Sequence, residues 1–149
     1  MTRDPAGTNS PCVCARVRRA ARAMTQLYDA ALAPAGLTVA QFSLLQNLRR
    51  LAEPHIAALA EATGLDRSTL GRNLRLLEMA GLVRLDPGGD RRMRLVSVTA
   101  QGERTVAEAM PLWRRVQADV IGRLGEERRN QLYALLVELE RAQQPPTGA

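Results

Sequence analysis

The sequence predicts a mainly α-helical chain with one small β-hairpin, and three observations support this prediction. Apolar residues recur at steps of three and four along most of the chain, which is the period of an amphipathic helix. Between about residues 83 and 98 the apolar period changes to two around Pro87-Gly88-Gly89, which is typical of a hairpin. Caps and breaks by glycine or proline divide the helical part into six helices.

The first two helices have clear ends. The first starts near Pro11 and ends at Pro34 and Gly36. The second begins at Thr38 and Gln41, whose spacing is that of a capping box, and it continues to about residue 52.

Two shorter helices follow. One spans residues 56 to 63 and stops at Gly64, and the next is capped by Asp66 and spans residues 67 to 80. Leu70, Leu74 and Leu77 form the inward stripe of this fourth helix. A short helix, a glycine turn and a second helix with an apolar inner face predict a helix-turn-helix.

The hairpin comes next. Val83 and Leu85 alternate with polar residues in its first strand, and Met93, Leu95 and Val98 are the apolar positions expected in the second. Thr99 is expected to cap the fifth helix, residues 101 to 124, and the sixth helix spans residues 126 to 142. The complete arrangement is a winged helix-turn-helix at residues 37–99, helices at 11–36 and 100–142, and disordered tails at 1–10 and 143–149.

The charge pattern favours a polyanionic partner. The chain has 149 residues and a formal net charge of +6, and all 21 of its basic residues are arginine. The planar guanidinium suits phosphates and guanine edges, although a genome rich in G and C would also favour arginine codons. Residues 1–34 carry five arginines against two acids, whereas residues 100–149 carry seven of each. The neutral C-terminal third therefore suits contact with protein better than contact with DNA.

The fourth helix and the hairpin carry the candidate DNA contacts. The predicted outer face of the fourth helix presents groups of the kind that read base edges and phosphates or allow a close approach. They are Arg67, Ser68, Thr69, Gly71, Arg72 and Arg75. Gly71 either leaves room for a close approach of DNA or is a tolerated surface glycine. At the hairpin tip, Asp90 precedes Arg91 and Arg92, a basic pair suited to a narrow minor groove. The combination predicts binding to double-stranded DNA.

Other classes of function fit the sequence poorly. The single histidine, His55, and two cysteines are too few for a structural zinc site or a catalytic cluster. No glycine-rich phosphate loop is present, so we expect neither an enzyme nor a cofactor. No apolar run approaches the ~18 residues that cross a bilayer, and the N-terminus lacks a signal-peptide core, so a cytoplasmic location without membrane contact is expected.

Three stretches carry a resemblance to a known family. They are residues 37–42, residues 59–83 with Leu-Glu-Met-Ala-Gly-Leu-Val at their end, and residues 90–102. Together they resemble the MarR (multiple antibiotic resistance regulator) family of bacterial transcription factors, over roughly residues 12–142. The resemblance implies a homodimer built from the first and last two helices, with two recognition helices about 34 Å apart on a pseudo-palindromic operator. It also implies that Asp90 orients Arg92, and that the protein is a regulator acting as a repressor.

The resemblance suggests two ways in which DNA would be released. Cys14 and Tyr28 match positions that peroxide-sensing members use, and arginines near the helix start would favour the thiolate. Cys12 is a further thiol, but two cysteines in one helix at this spacing point about 200° apart, which disfavours a disulfide within the helix and leaves a bridge between subunits open. Inert packing of the cysteines is the alternative.

The second way is a small-molecule effector in a cleft lined by Met24, Tyr28, Phe42 and Trp113, although such a stripe also suits a core. A winged helix that binds protein rather than DNA is the alternative function for the whole chain.

Overall fold

A computed structural model describes residues 11–87 and 89–142 of the chain. The predicted tails at 1–10 and 143–149, and Gly88 of the predicted hairpin turn, lie outside these residues. The helices and strands, in chain order, are α1 Val13–Leu32, α2 Val39–Leu51, α3 Ile56–Thr63, α4 Arg67–Met79, β1 Val83–Leu85, β2 Val96–Val98, α5 Ala100–Leu124 and α6 Glu126–Arg141. A mainly helical chain with one antiparallel hairpin is therefore confirmed.

Local sequence signals explain most helix ends. Thr38 and Gln41 form both hydrogen bonds of a capping box at the start of α2. Gly64 adopts the left-handed conformation at the end of α3, with φ of 65°. Thr99 Oγ1 accepts the backbone N–H of Gly102 at 3.0 Å and so caps α5. Each of these ends was predicted from the residues that form it.

The turn between α2 and α3 is an exception. Ala52 and Glu53 both have positive φ, 51° and 58°, without a glycine. Residues with a Cβ rarely adopt this conformation, so the sequence carries no local signal for this turn.

The hairpin differs from its prediction in the second strand. Its register pairs Val83 with Val98 and Leu85 with Val96. Met93, predicted as an apolar strand position, instead ends a 3-10 turn at Arg91–Met93 and has 56% of its surface exposed. The reason is that Asp90 caps this turn, since its Oδ1 accepts the backbone N–H of Arg92 and its carbonyl accepts that of Met93.

A segment distant in the sequence extends the hairpin. The N–H of Ile56 donates to the carbonyl of Arg94 at 3.1 Å, and the N–H of Val96 donates to the carbonyl of Pro54 at 3.0 Å. His55 lies opposite Leu95 in this short antiparallel bridge. The start of α3 is thereby joined to the hairpin that follows α4.

The chain divides into two compact units, residues 1–113 and 114–149. The first has an aliphatic core to which α2, α3, α4, the hairpin and α5 contribute, and it includes Leu45, Leu59, Leu77, Val96 and Val106, all completely buried. In the second unit, α6 exposes a set of large apolar side chains, namely Leu132, Tyr133, Leu135, Leu136, Val137 and Leu139. Among the described residues, no helix is both long and apolar enough to cross a bilayer.

Candidate nucleic-acid interface

The position of α4 is determined by its apolar inner face. Leu70, Leu74 and Leu77 are at most 2% exposed and pack into the core of the first unit. Burial of three leucines contributes about 1.5–3 kcal/mol each to the free energy of folding. Because these residues recur at steps of four and three, the opposite face of the helix remains exposed to solvent.

The exposed face of α4 carries the predicted contact residues. Arg67, Ser68, Gly71, Arg72 and Arg75 are all exposed. Thr69 is half-buried, because it lies toward the inner face beside Leu70. The start of α4 therefore presents the Ser68 hydroxyl next in sequence to Arg67, with Arg72 one turn further along the same exposed face.

The cap of α4 is unusually rich in hydrogen bonds. Asp66 Oδ1 accepts the backbone N–H of Thr69 at 2.8 Å and the Ser68 hydroxyl at 2.7 Å, and Oδ2 accepts the Thr69 hydroxyl at 2.7 Å. These bonds hold the pKa of the Asp66 carboxyl well below its usual range, with the Ser68 hydroxyl as the largest cause. Asp66 is therefore an ionised carboxylate at neutral pH.

The hairpin tip holds its two arginines on a braced turn. Asp90 caps the start of the 3-10 turn, and His55 Nδ1 donates to the carbonyl oxygen of Met93 at its end, at 2.9 Å. Arg91 and Arg92 lie between these two points and are exposed. Asp90 thus bonds the backbone of Arg92, and orientation of the Arg92 guanidinium by Asp90 stays a prediction.

Helix α4 and the hairpin enclose one concave surface of about 980 Å³. Eight of the nine predicted DNA-contact residues line it, and only Thr69 lies outside the lining. Its charged groups are six arginines and two carboxylates, namely Arg67, Arg72, Arg75, Arg91, Arg92, Arg94, Glu78 and Asp90. We call this the arginine cleft. Its net charge of +4 and its guanidinium donors suit a polyanion.

Arg94 is a lining residue that the sequence analysis missed. Its Nε donates to the carbonyl oxygen of Asp86 at 2.6 Å, which ties the two sides of the hairpin together at the edge of the cleft. The predicted alternation placed Met93 and Leu95 inward, so an outward Arg94 was implied by the same pattern. Ile56, Ala57 and Ala60 of α3 also line the cleft and form part of its apolar floor.

Comparison with known proteins identifies the family. A model described as the MarR family matches residues 35–93. The transcriptional regulator HosA of Escherichia coli O127:H6 is 33% identical over 102 residues, which cover 68% of this chain and 75% of that protein.

The chain belongs to the MarR family.

Solved structures agree with this assignment. The Mycobacterium tuberculosis transcriptional regulator MosR, crystallised in complex with DNA, is 39% identical, with a TM-score of 0.77 over 90% of this chain and 99% of that one. Bordetella bronchiseptica BpsR, whose DNA binding is regulated by 6-hydroxynicotinic acid, is 25% identical, with a TM-score of 0.78 over 92% and 98%. This MarR-family chain is a DNA-binding transcriptional regulator with a winged helix and is not an enzyme.

The cysteines of this MarR-family regulator lie at the start of α1. Both are exposed, and Cys12 is the N-cap in extended backbone, with φ of −76° and ψ of 113°, whereas Cys14 is inside the helix. The expectation of two thiols about 200° apart on one helix is therefore wrong, because Cys12 precedes the helix. The geometric argument against a bond between them no longer applies.

Tyr28 cannot contact Cys14 within one chain. Both residues belong to the unbroken helix α1. At a rise of 1.5 Å per residue, the two positions are about 21 Å apart. A hydrogen bond between these side chains would require Tyr28 from a second copy.

The four residues expected to line an effector cleft are not alike in their surroundings. Phe42 is 3% exposed in the core, and its ring stacks on that of Trp113 with centroids 6.1 Å apart. Met24 is 43% exposed on α1, and Tyr28 is half-buried. Phe42 and Trp113 therefore serve the core of this chain, as the alternative interpretation of the stripe expected.

Proposed function

We propose that this MarR-family regulator is a homodimeric repressor that binds a pseudo-palindromic operator through the arginine cleft. The observation that supports this most directly is the position of Arg72 and Arg92 on one concave surface, one on α4 and the other on the hairpin. In this arrangement α4 enters the major groove, and Arg91 and Arg92 enter the neighbouring minor groove. The DNA complex of MosR, a relative 39% identical, supports the same use of the fold.

The two groups of arginines would have different tasks. Arg67, Arg72 and Arg75 face the groove in which guanidinium forks can bind guanine edges in a bidentate manner. Arg91 and Arg92 would meet phosphates and the negative potential of the minor groove, which contributes affinity with less sequence preference. The proposed DNA-binding surface also includes Asp90, Ser68, Thr69 and Gly71.

The proposal is tested with the duplex that the protein selects from a random library. If about six phosphates are contacted, log Kd against log salt should have a slope near 5 in magnitude. Arg72→Ala should cost about 1–3 kcal/mol of binding free energy and relax the preference at one base pair per half-site. Arg92→Ala should weaken binding to all sequences.

The control is Arg104→Ala, which removes the same charge from an exposed position on α5 outside the arginine cleft. Equal losses for Arg72→Ala and Arg104→Ala would contradict the proposed interface. A binding constant that does not depend on salt would favour the alternative, a winged helix that binds protein.

We propose further that residues 37–99 form the DNA-binding lobe and that helices in 11–36 and 100–142 form the dimer. Exposed apolar side chains on both segments support this, including Val13 and Val17 on α1 and Leu135 on α6. Such surfaces are typically covered by another protein surface, and a twofold partner would supply it.

The signal that releases DNA is proposed to be oxidation of Cys14 or a small molecule. A peroxide would oxidise the Cys14 thiolate to a sulfenic acid and would itself be reduced, and a second thiol such as Cys12 would then form a disulfide with loss of water. The exposure of both thiols supports this route. Cys14→Ser should retain DNA in the presence of peroxide, and release that persists in this variant would leave the small-molecule route.

The ligand-bound relatives support the small-molecule route. BpsR responds to 6-hydroxynicotinic acid, and the repressor CouR, also 25% identical, binds p-coumaroyl-CoA. Met24, which is exposed, and Tyr28, which is half-buried, are the proposed contacts, since Phe42 and Trp113 pack in or against the core. Met24→Ala should then weaken effector-induced release without changing DNA affinity in the absence of effector.

A further inference from the structure

The carboxylate of Asp66 determines how two hydroxyl groups of α4 can hydrogen-bond. Ser68 Oγ and Thr69 Oγ1 each lie 2.7 Å from an oxygen of Asp66. An ionised carboxylate only accepts hydrogen bonds, so both hydroxyl groups must be the donors. The single hydrogen of each hydroxyl therefore points toward Asp66.

Ser68 is the hydroxyl that faces the arginine cleft. It is exposed and lines the cleft, whereas Thr69 is half-buried and does not. With its hydrogen committed to Asp66, Ser68 Oγ retains only lone pairs for any group in the cleft. Ser68 thus differs from its neighbours Arg67 and Arg72, which are donors only.

A serine that contacts DNA ordinarily has no fixed preference, because its hydroxyl can donate to one base and accept from another. In the major groove the donors are the exocyclic amino groups of adenine and cytosine, and the acceptors are guanine N7 and O6, adenine N7 and thymine O4. Phosphate oxygens also only accept. An acceptor-only Ser68 can therefore bind an amino group but neither a phosphate nor a guanine edge.

We propose that Asp66 is a specificity-determining residue that restricts Ser68 to accepting a hydrogen bond from the amino group of an adenine or cytosine in the major groove. This inference depends on the proposed placement of α4 in that groove. It divides the exposed face of α4 between guanidinium donors, which suit guanine and phosphate, and one hydroxyl acceptor.

The test is a double-mutant cycle between Ser68 and single functional groups of the selected operator. In one set of duplexes each adenine or cytosine in turn is replaced by an analogue without the exocyclic amino group. In a second set each purine is replaced by a deaza analogue without the ring acceptor. At one position per half-site, removal of the amino group should lower the affinity of the wild-type protein about fivefold to tenfold. This is the change in Kd that corresponds to the loss of one hydrogen bond. Ser68→Ala should abolish that loss and should change none of the losses from deaza analogues.

Two variants of Asp66 test its role. Asp66→Asn retains an oxygen at the Oδ1 position, which accepts both the Thr69 N–H and the Ser68 hydroxyl, so the amino-group dependence should persist. Asp66→Gly keeps an acceptable N-cap residue but frees the hydroxyl hydrogen, so Ser68 can then also donate. When the base pair that offers the amino group is replaced by one that offers an acceptor, wild type should lose about fivefold to tenfold in affinity, whereas Asp66→Gly should lose less than about twofold. Circular dichroism checks that each variant remains helical.

Several outcomes would overturn the inference. Coupling of Ser68 to a deaza position in wild type would show that Ser68 is a donor. An unchanged loss at the acceptor base pair in a folded Asp66→Gly would remove the role of Asp66. If Asp66→Gly is not helical, an amino-group dependence that persists in Ser68→Ala still overturns the inference, because Asp66 then has no acceptor to restrict. Failure of the proposed function itself looks different, because wild type would then select no sequence at all.

Discussion

At the scale of single residues, Gly102 shows how closely two elements of the first unit approach each other. A Cβ at this position would overlap the backbone carbonyl oxygen of Leu82, just before β1. The same oxygen accepts the N–H of Thr99 at 3.0 Å, and Thr99 Oγ1 donates to the carbonyl of Gly81 at 2.6 Å. The start of α5 is thus fixed to the end of the α4 segment through backbone groups.

Gly102→Ala should therefore destabilise the fold by about 1–3 kcal/mol or more, because backbone atoms have little room to move. Gly71→Ala is the matched control, since nothing lies within 4 Å of a Cβ there and the residue is in mid-helix. That variant should be more stable by up to ~1 kcal/mol. Urea unfolding of both variants measures the difference, and similar midpoints would contradict this account.

Gly71→Ala also separates the two interpretations of that glycine. If DNA approaches the helix closely at this position, the more stable variant should bind the operator less tightly. If Gly71 is only a tolerated surface residue, the affinity should be unchanged.

The residue scale is also where sequence reasoning succeeded most fully. The caps at Thr38, Asp66 and Thr99 were predicted because each depends on residues within three positions of itself. The hydrogen bonds from the Ser68 and Thr69 hydroxyl groups to Asp66 were not predicted, because they depend on side-chain geometry that residue spacing alone does not specify.

At the scale of elements, the hairpin shows which features local sequence patterns predict and which they do not. Its first strand and its basic tip were predicted, but the second strand begins only at Val96. The Asp90 cap displaces Met93 from the strand, and a tertiary contact adds to this, because the segment at residues 54–56 pairs with residues 94–96 from forty positions away. No periodicity within the hairpin could indicate that partner.

His55 should accordingly influence DNA binding without touching DNA. Its Nδ1 donates to the Met93 carbonyl and so holds the turn that carries Arg91 and Arg92. His55→Ala should raise Kd for the operator by about fivefold, the size of one hydrogen bond. His55→Asn should restore much of the affinity, because its amide N–H can donate from a similar position.

A double-mutant cycle between His55 and Arg92, with operator binding measured by fluorescence anisotropy, checks whether His55 acts by positioning the turn. His55→Ala should cost little once Arg92→Ala is present, because the turn then no longer carries that guanidinium. Fully additive losses, or equal losses for His55→Ala and His55→Asn, would rule out positioning of the turn.

At the scale of the whole molecule, charge and exposed apolar surface are separated along the chain. Six of its arginines line the arginine cleft in the first unit, while residues 100–149 are neutral and α6 exposes its leucines. The sequence predicted this division from composition alone. It could not indicate the cleft itself, which forms only when α4 and the hairpin are brought together by the buried leucines of α4.

The proposed dimer should be disrupted from α6. Leu135 and Leu139 are 57% and 43% exposed and one turn apart, so the double substitution Leu135→Glu with Leu139→Glu places two carboxylates on the surface proposed to be covered. Light scattering after size exclusion should then report a monomer, and operator affinity should fall.

The control makes the same two changes at Leu76 and Met79 of α4, which are 47% and 78% exposed. These positions lie outside the proposed dimer helices, so that variant should keep the dimer mass. A dimer in the α6 variant would show that α6 does not hold the two copies together.

The cations of the arginine cleft also limit how this regulator can be controlled. All of them are guanidinium groups, and the chain contains no lysine. Guanidinium groups keep their proton at any pH a cell experiences, and without lysine the cleft has no side-chain amine for acetylation. Neither acid nor lysine acetylation can therefore neutralise these six charges, so the proposed release of DNA would depend on moving the guanidinium groups rather than on discharging them.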